Sequence, residues 1–421
     1  MEKIAITGIG ITSSLGNELE TTRKKLLLGL GSIDTINFEH LNSKYSGFGS
    51  ISAGLADFDL SKYMNEKDIL RTSRSSHLSV FAAGEAIADS GINIDEFGST
   101  RVGISLGIAE GNFHAVENEL SKLDANGYRF ELISNHLTTQ MCANSASGDV
   151  SIQFGIKGPA YTVGGACSAS SIAIIDATRR LRLGESDLML AGGVSDCPRS
   201  FLVASGFRSH GVLHKETSGE AILGPFDANR TGMILGEGAC FFTLERESDA
   251  LERGAKVYGV ITGYNVNSDA RSRSRPDFQS QKKCIQDAII SAGVDFDSSI
   301  LFSTHATGTV VGDQQEFDIL SSILPEFKAG WMNNSKGFIG HTLGASGAIE
   351  LAFNLPTFKD SKIHSCTGIT KLDANCESEF LVSNHLIEDV EIDFIIKNTF
   401  GMFGVNSVLV VENPRNISGL I

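Results

Sequence analysis

Apolar positions along the chain fall into short runs punctuated by glycine, with helical stretches between them. Ile4-Ala5-Ile6-Thr7 reads as a buried strand running into a Gly8-Ile9-Gly10 turn. Residues 18–28 predict a helix stopped at Gly29, a favoured C-terminal cap, and residues 76–89 predict a second one ending at Gly91. Arg101 to Leu106 reads as an apolar strand. In the centre, Tyr161-Thr162-Val163 predicts a strand, Gly164-Gly165 a turn, and Ser168 to Leu183 a helix. Leu188 to Ala191 is apolar on both faces, as in a sheet covered on both sides, and Gly192-Gly193 closes it. Ala239 to Leu244 gives another strand.

A similar order restarts at Lys256. Strands are predicted at 257–261 and 300–303 with a helix at 279–292 between them. A helix near 344–355 and strands at 393–396 and 408–411 follow. Strands alternating with helices predict α/β layers around largely parallel sheets. The repeated order predicts two similar halves, residues 1–255 and 256–421. A chain of 421 residues is long enough for two cores.

Composition narrows the function. The chain is 41% hydrophobic and 20% charged, with 45 Gly against 7 Pro, which describes a folded globular protein with little linker. No apolar run reaches the ~18 residues of a membrane span, and the N-terminus lacks the apolar block of a signal peptide. A cytoplasmic protein with no membrane partner is expected. The net charge of −15 disfavours broad nucleic-acid binding. Seven cysteines without a C-x-x-C pair predict neither a disulfide framework nor a metal site. Gly8-Ile9-Gly10 has Ser13 where a dinucleotide fingerprint needs its third glycine.

Gly164-Gly165-Ala166-Cys167-Ser168-Ala169-Ser170-Ser171 sets a cysteine in a collar of small residues between a strand and a helix. Helix N–H groups favour thiolate over thiol and can hold a developing oxyanion, so Cys167 is a candidate nucleophile for thioester exchange. The competing reading is a buried structural cysteine. His305 ends the strand Leu301 to Thr304, and His341 lies in Gly337-Phe338-Ile339-Gly340-His341-Thr342-Leu343-Gly344. Singly, each reads more readily as a structural histidine; jointly with Cys167 they sit where α/β sheets gather functional groups. Asn398-Thr399-Phe400-Gly401-Met402-Phe403-Gly404 precedes the last strand and also reads as a tight hairpin.

Together these segments resemble the elongating β-ketoacyl-[acyl-carrier-protein] synthases of the thiolase superfamily. Further similarity lies in Ile6 to Gly10, in Pro225-Phe226-Asp227-Ala228-Asn229-Arg230-Thr231-Gly232 and in Leu235-Gly236-Glu237-Gly238. The resemblance implies a thiolase-like fold of two halves in five α-β-α-β-α layers. It implies Cys167 as the acylated nucleophile and His305 and His341 as the pair that binds the malonyl thioester and promotes loss of carbon dioxide. Lys336 and Glu316 match a supporting ion pair, and the N–H groups of Cys167 and Phe400 match an oxyanion hole, with Phe400 as gate. Ile108, Thr307, Thr309, Met402 and Phe403 match the substrate path.

The implied partners are an acyl carrier protein and a second thiolase-fold chain, either a copy or a chain-length-factor-like homologue. No cofactor is implied on this chain; 4′-phosphopantetheine arrives on the carrier. Arg71, Arg74, Arg208 and the run Arg271, Arg273, Arg275 are candidate docking sites for an acidic carrier, the run reading equally as a solvated loop.

Thiolases carry a second cysteine where this chain has Phe400 to Gly404, and starter-type synthases carry Asn in place of His341. Met402 and Phe403 stand where the family commonly has Phe and Gly, and Ala306, Gly308 and Val310 also depart from its usual pattern. These departures point to a specialised fatty-acid-like, polyketide or polyene pathway. The rival readings are a tunnel-shaping subunit without activity and a cysteine hydrolase.

Overall fold

A computed structural model describes residues 2–39, 43–215, 223–383 and 385–416. Ten strands form one continuous sheet: β1 (Ile4–Ser13), β2 (Val102–Ile108), β3 (Ala160–Gly164), β4 (Leu188–Ser195), β5 (Gly238–Arg246), β6 (Gly259–Ser268), β7 (Ser299–Ser303), β8 (Ala329–Asn333), β9 (Phe394–Gly401) and β10 (Val405–Glu412). Their spatial order is β8-β7-β9-β10-β6-β1-β5-β4-β2-β3. Each half therefore has the same five-strand order, and the two meet edge to edge where Ile4, Ala5 and Ile6 pair with Ile261, Val260 and Gly259. Strand senses repeat as well. In each half the second strand runs parallel to the third and fourth, while the fifth is antiparallel to its neighbours.

The principal helices repeat in the same way: α1 (Arg74–Ser90), α2 (Ser145–Phe154), α3 (Ala169–Arg182), α4 (Phe278–Ala292), α5 (Val310–Ile323) and α6 (Ser346–Asn354). α1 and α2 pack outside the first half, α4 and α5 outside the second, and α3 and α6 lie between the two halves of the sheet. Five layers result, as expected from the resemblance. The helices α3 and α6 sit in a core that joins Ile4, Phe242, Leu301 and Leu409 from both halves. In α3, Ile174, Ile175 and Leu181 are fully buried, each worth ~1.5–3 kcal/mol of transfer free energy. Arg179, Arg180 and Arg182 in its last turn face the negative end of the helix dipole. Among the described residues, no helix is long and apolar enough to cross a membrane.

Two expected turns are strand interior. β1 runs unbroken through Gly8 and Gly10, and β4 through Gly192 and Gly193. A Cβ on Gly10 would lie 1.9 Å from Ala82 O in α1, and one on Gly192 would lie 1.8 Å from Cys240 O. These glycines serve close packing and not chain reversal. The stretch that opens at Ala306 turns into α5 from Val310, and β8 lacked a recognisable apolar run. Gly10→Ala is expected to cost ~1–3 kcal/mol through overpacking, measured by urea unfolding against wild type.

Candidate active site

The strand–turn–helix around the nucleophile is present. β3 ends at Gly164, Ala166 adopts a left-handed φ of 48°, and α3 begins at Ala169. The second half repeats the device: Leu343 has φ 38° three residues before α6. The leading turns of the two helices approach closely. A Cβ on Gly193 would lie 2.7 Å from Gly344 O, and Ser170 Oγ accepts from Ala348 N at 3.1 Å. The β9–β10 hairpin is fastened to the nucleophile turn by Ser168 Oγ, which lies 3.0 Å from Thr399 O and 2.9 Å from Val405 O.

These constraints bring three side chains together. Cys167 Sγ lies 3.1 Å from His341 Nε2, and donor atoms of Cys167, His305 and His341 all fall within 4.8 Å of one another. The two imidazole rings meet edge to face at 5.4 Å, and Phe400 packs against His305 at 5.8 Å. His341 Nδ1 lies 2.8 Å from Ser346 Oγ, whereas His305 Nδ1 has no hydrogen-bond partner in the protein.

Burial decides the charge states. It pushes the Cys167 thiol up to about 12, helped by the Glu110 carboxylate and opposed by Lys336 and by the N–H groups of Met402 and Cys167. The expectation of a preformed thiolate is therefore corrected, because desolvation outweighs the helix N-terminus. His341 is placed to take the thiol proton. Burial, then the Lys336 cation, hold both His305 and His341 well below the usual imidazole range. Both rings are neutral at pH 7.

The ion-pair expectation is also corrected. Glu316 does not pair with Lys336; it accepts the backbone N–H groups of His305 and Ala306 at 2.8 and 2.7 Å and the Asn398 amide at 3.1 Å. Lys336 pairs with Glu350 at 2.6 Å, and Glu350 also holds Lys397 at 2.6 Å. Lys397 donates to the carbonyls of Ser303 and Thr304, which fixes the strand end carrying His305. Burial, then the neighbouring Lys336 against the pull of Glu350, brings the Lys397 ammonium down to about 8. Sequence reading passed over Glu350, Lys397 and Ser346. A lone charge inside Ala348-Ile349-Glu350-Leu351 and inside Ile395-Ile396-Lys397 was the available signal.

Other expected residues divide. Ile108 ends β2, the Thr307 and Thr309 hydroxyls lie 3.2 Å apart, and Thr307 lines a narrow cleft with Gly308 and Lys336. Met402 to Gly404 forms the hairpin turn, where exposed Phe403 adopts a left-handed φ of 64° despite its side chain. Arg74 is engaged by buried Glu237 at 2.8 Å, and Arg208 donates to the Phe48 and Ser50 carbonyls while stacking on Phe48. Both side chains are half-buried and already held by contacts within the chain. Arg71 is exposed with Asp68 at 4.0 Å, and Arg271 is exposed with Asp277 at 2.8 Å. Arg273 and Arg275 are exposed beside the gate, and the Arg273 carbonyl accepts the Phe403 N–H at 2.8 Å.

A duplicated five-layer α/β fold, with a cysteine at one central helix and two neutral histidines opposite, defines a thiolase-fold enzyme built for thioester chemistry. The chain belongs to the β-ketoacyl synthase family: the N-terminal domain of that family matches residues 1–250 and the C-terminal domain matches residues 258–370. It is a ketosynthase, an acyltransferase. It is 29% identical to 3-oxoacyl-[acyl-carrier-protein] synthase 2 of Staphylococcus aureus over 98% of both chains. The corresponding Coxiella burnetii enzyme is 28% identical, over 98% of this chain and 99% of that one. The solved ishigamide ketosynthase/chain length factor superposes with a TM-score of 0.89 at 25% identity, over 98% of this chain and 99% of that chain. A β-ketoacyl synthase from Burkholderia phymatum gives 0.86 at 24% identity, over 98% of this chain and all of that one.

The raised thiol predicts that alkylation of Cys167 by iodoacetamide keeps accelerating from pH 7 to pH 10, because the thiolate fraction grows throughout that range. A plateau already reached at neutral pH, followed by intact mass, would contradict the burial argument.

Proposed function

We propose that the chain works in the cytoplasm as an elongating β-ketoacyl-[acyl-carrier-protein] synthase, joining an acyl group on Cys167 to malonyl-carrier. The 3.1 Å contact of Cys167 Sγ with His341 Nε2, beside an uncommitted His305 Nδ1, carries the reading. In acylation, Nε2 accepts the thiol proton as sulfur attacks the acyl-carrier thioester, and the carrier thiolate leaves with that proton. The Ser346 hydroxyl both donates and accepts, so it serves either His341 tautomer. In the second half-reaction the malonyl carboxylate leaves as carbon dioxide, and negative charge gathers on the thioester oxygen. Neutral N–H donors from His305 and His341 stabilise that enolate. The enolate carbon attacks the Cys167 thioester, the β-ketoacyl-carrier departs, and the released thiolate regains a proton from solvent. The backbone N–H groups of Cys167 and the Phe400–Met402 hairpin are the proposed oxyanion hole. Lys336 and Lys397, neutralised in part by Glu350, keep the imidazoles uncharged.

The carrier delivers the phosphopantetheine arm past Thr307 and Gly308, with Arg271, Arg273 and Arg275 as its proposed docking surface. The 4′-phosphopantetheine stays attached to the carrier throughout. A tunnel-shaping subunit without activity would need neither the thiol nor the paired histidines. A partner chain of the same fold is supported at the sheet edge. No described strand pairs the outer side of β3, and the preceding segment exposes Tyr128, Phe130, Leu132, Met141 and Ile152.

Two measurements test this. His305→Ala is expected to cut malonyl-carrier decarboxylation by ~10²–10³ while acyl loading stays near wild type, whereas His341→Ala loses both; equal loss of loading in the two variants would remove the division of labour. Light scattering is expected to give a dimer mass for wild type and a monomer mass for Phe130→Lys with Ile152→Lys. An unchanged mass would move the interface elsewhere.

A further inference from the structure

The two histidines are held by different means. The His341 ring is oriented through Nδ1 by the Ser346 hydroxyl at 2.8 Å. Its N–H donates to Ile234 O at 2.7 Å, and its carbonyl accepts from Gly236 N at 2.9 Å. The His305 ring is buried, has no protein partner at Nδ1, and meets the His341 and Phe400 rings edge to face. Its place is therefore set chiefly by the main chain that carries it.

That main chain is the end of β7. Glu316 accepts the N–H groups of His305 and Ala306 at 2.8 and 2.7 Å, and the Asn334 amide donates to Ala306 O at 2.9 Å. The two carbonyls just before His305, those of Ser303 and Thr304, accept from Lys397 Nζ at 3.1 and 3.0 Å. Glu350 Oε2 accepts from the same ammonium at 2.6 Å. An ammonium has three donors, and three oxygens take them here. Lys397 is fully buried and is the register partner of Ser303, while Asn398 and Phe400 on the same strand reach Glu316 and the His305 ring. Ser303 and Thr304 are buried as well, so their carbonyls, deprived of that donor, have to shift toward another. Nothing in the hold on His341 passes through Lys397.

We propose that Lys397 is a positioning residue for decarboxylation: its ammonium clamps the strand end at three oxygens and so sets the His305 ring for the malonyl thioester, while acylation through His341 does not need it. The inference rests on the ketosynthase reading and assigns this buried cation to one half-reaction.

The test follows two reactions of the full chain. One is release of carbon dioxide from malonyl-N-acetylcysteamine, the enolate then taking a proton from solvent to give the acetyl thioester. The other is acylation of Cys167 by octanoyl-N-acetylcysteamine, read by intact mass. Lys397→Met keeps an unbranched stem without the charge, and Glu350 retains Lys336 at 2.6 Å, so no buried carboxylate is orphaned. This variant is expected to lose decarboxylation by about tenfold to a hundredfold while acylation stays within about twofold of wild type. Lys397→Ala leaves room at the three oxygens, and added methylammonium is expected to restore part of its decarboxylation. Tetramethylammonium, which has no N–H donor, is expected to restore none. Purified in methylammonium, the alanine variant also supplies the measurement if the methionine variant does not fold. Equal losses in both reactions, no rescue by methylammonium, or an alanine variant that folds in neither condition overturns the inference and leaves the ketosynthase reading standing. Wild type that neither decarboxylates nor acylates overturns both.

Discussion

The site depends on the close approach of two helix starts, one from each half of the duplicated fold. Cys167 opens one and His341 precedes the other, and the 3.1 Å between sulfur and Nε2 exists only because the turns meet with little side chain between them. Gly193 and Gly347 allow that approach: a Cβ on Gly347 would lie 2.1 Å from Ser171 Oγ. Close packing of this kind desolvates the sulfur and disfavours its charged form. Burial therefore favours the protonated thiol, and the imidazole across the interface is placed to accept its proton.

Behind the histidines, charge is arranged to keep them neutral. Two ammonium groups share the Glu350 carboxylate, while Glu316 spends its oxygens on the backbone at His305 and Ala306. This leaves positive potential at both rings, which disfavours their protonation and suits them to donate to an enolate. The same potential pulls against desolvation at Cys167. The Ser168 hydroxyl ties the Phe400 hairpin to the nucleophile turn, so gate and nucleophile are positioned by one short segment. Phe403 holds a left-handed backbone that glycine would adopt more readily, at a cost of ~1–3 kcal/mol that the surrounding hairpin must offset.

Much of this was legible one residue at a time. The alternation of apolar runs and helical stretches identified α/β layering, because strand and helix periods leave local marks. The repeat from Lys256 reflected the common strand order of the halves. Gly164 to Ser171 marked the nucleophile turn, since small residues and a helix start are local properties. Glycines inside β1 and β4 misled for a physical reason: glycine at a turn and glycine under a packed helix look alike until the packing partner is known. The Lys336 pairing misled similarly, because sequence shows which charges exist and not which carboxylate faces them.

By itself the sequence determined the layered fold and the family, and it singled out Cys167, His305 and His341 as the candidate site, all properties written in short segments and their order. Only the tertiary structure decided how those groups are charged and partnered. The state of Cys167, the pairing of Glu350 with two lysines and the engagement of Arg74 and Arg208 all depend on burial and distance between remote segments. Such quantities are set when the two halves close on each other, and no local pattern encodes them.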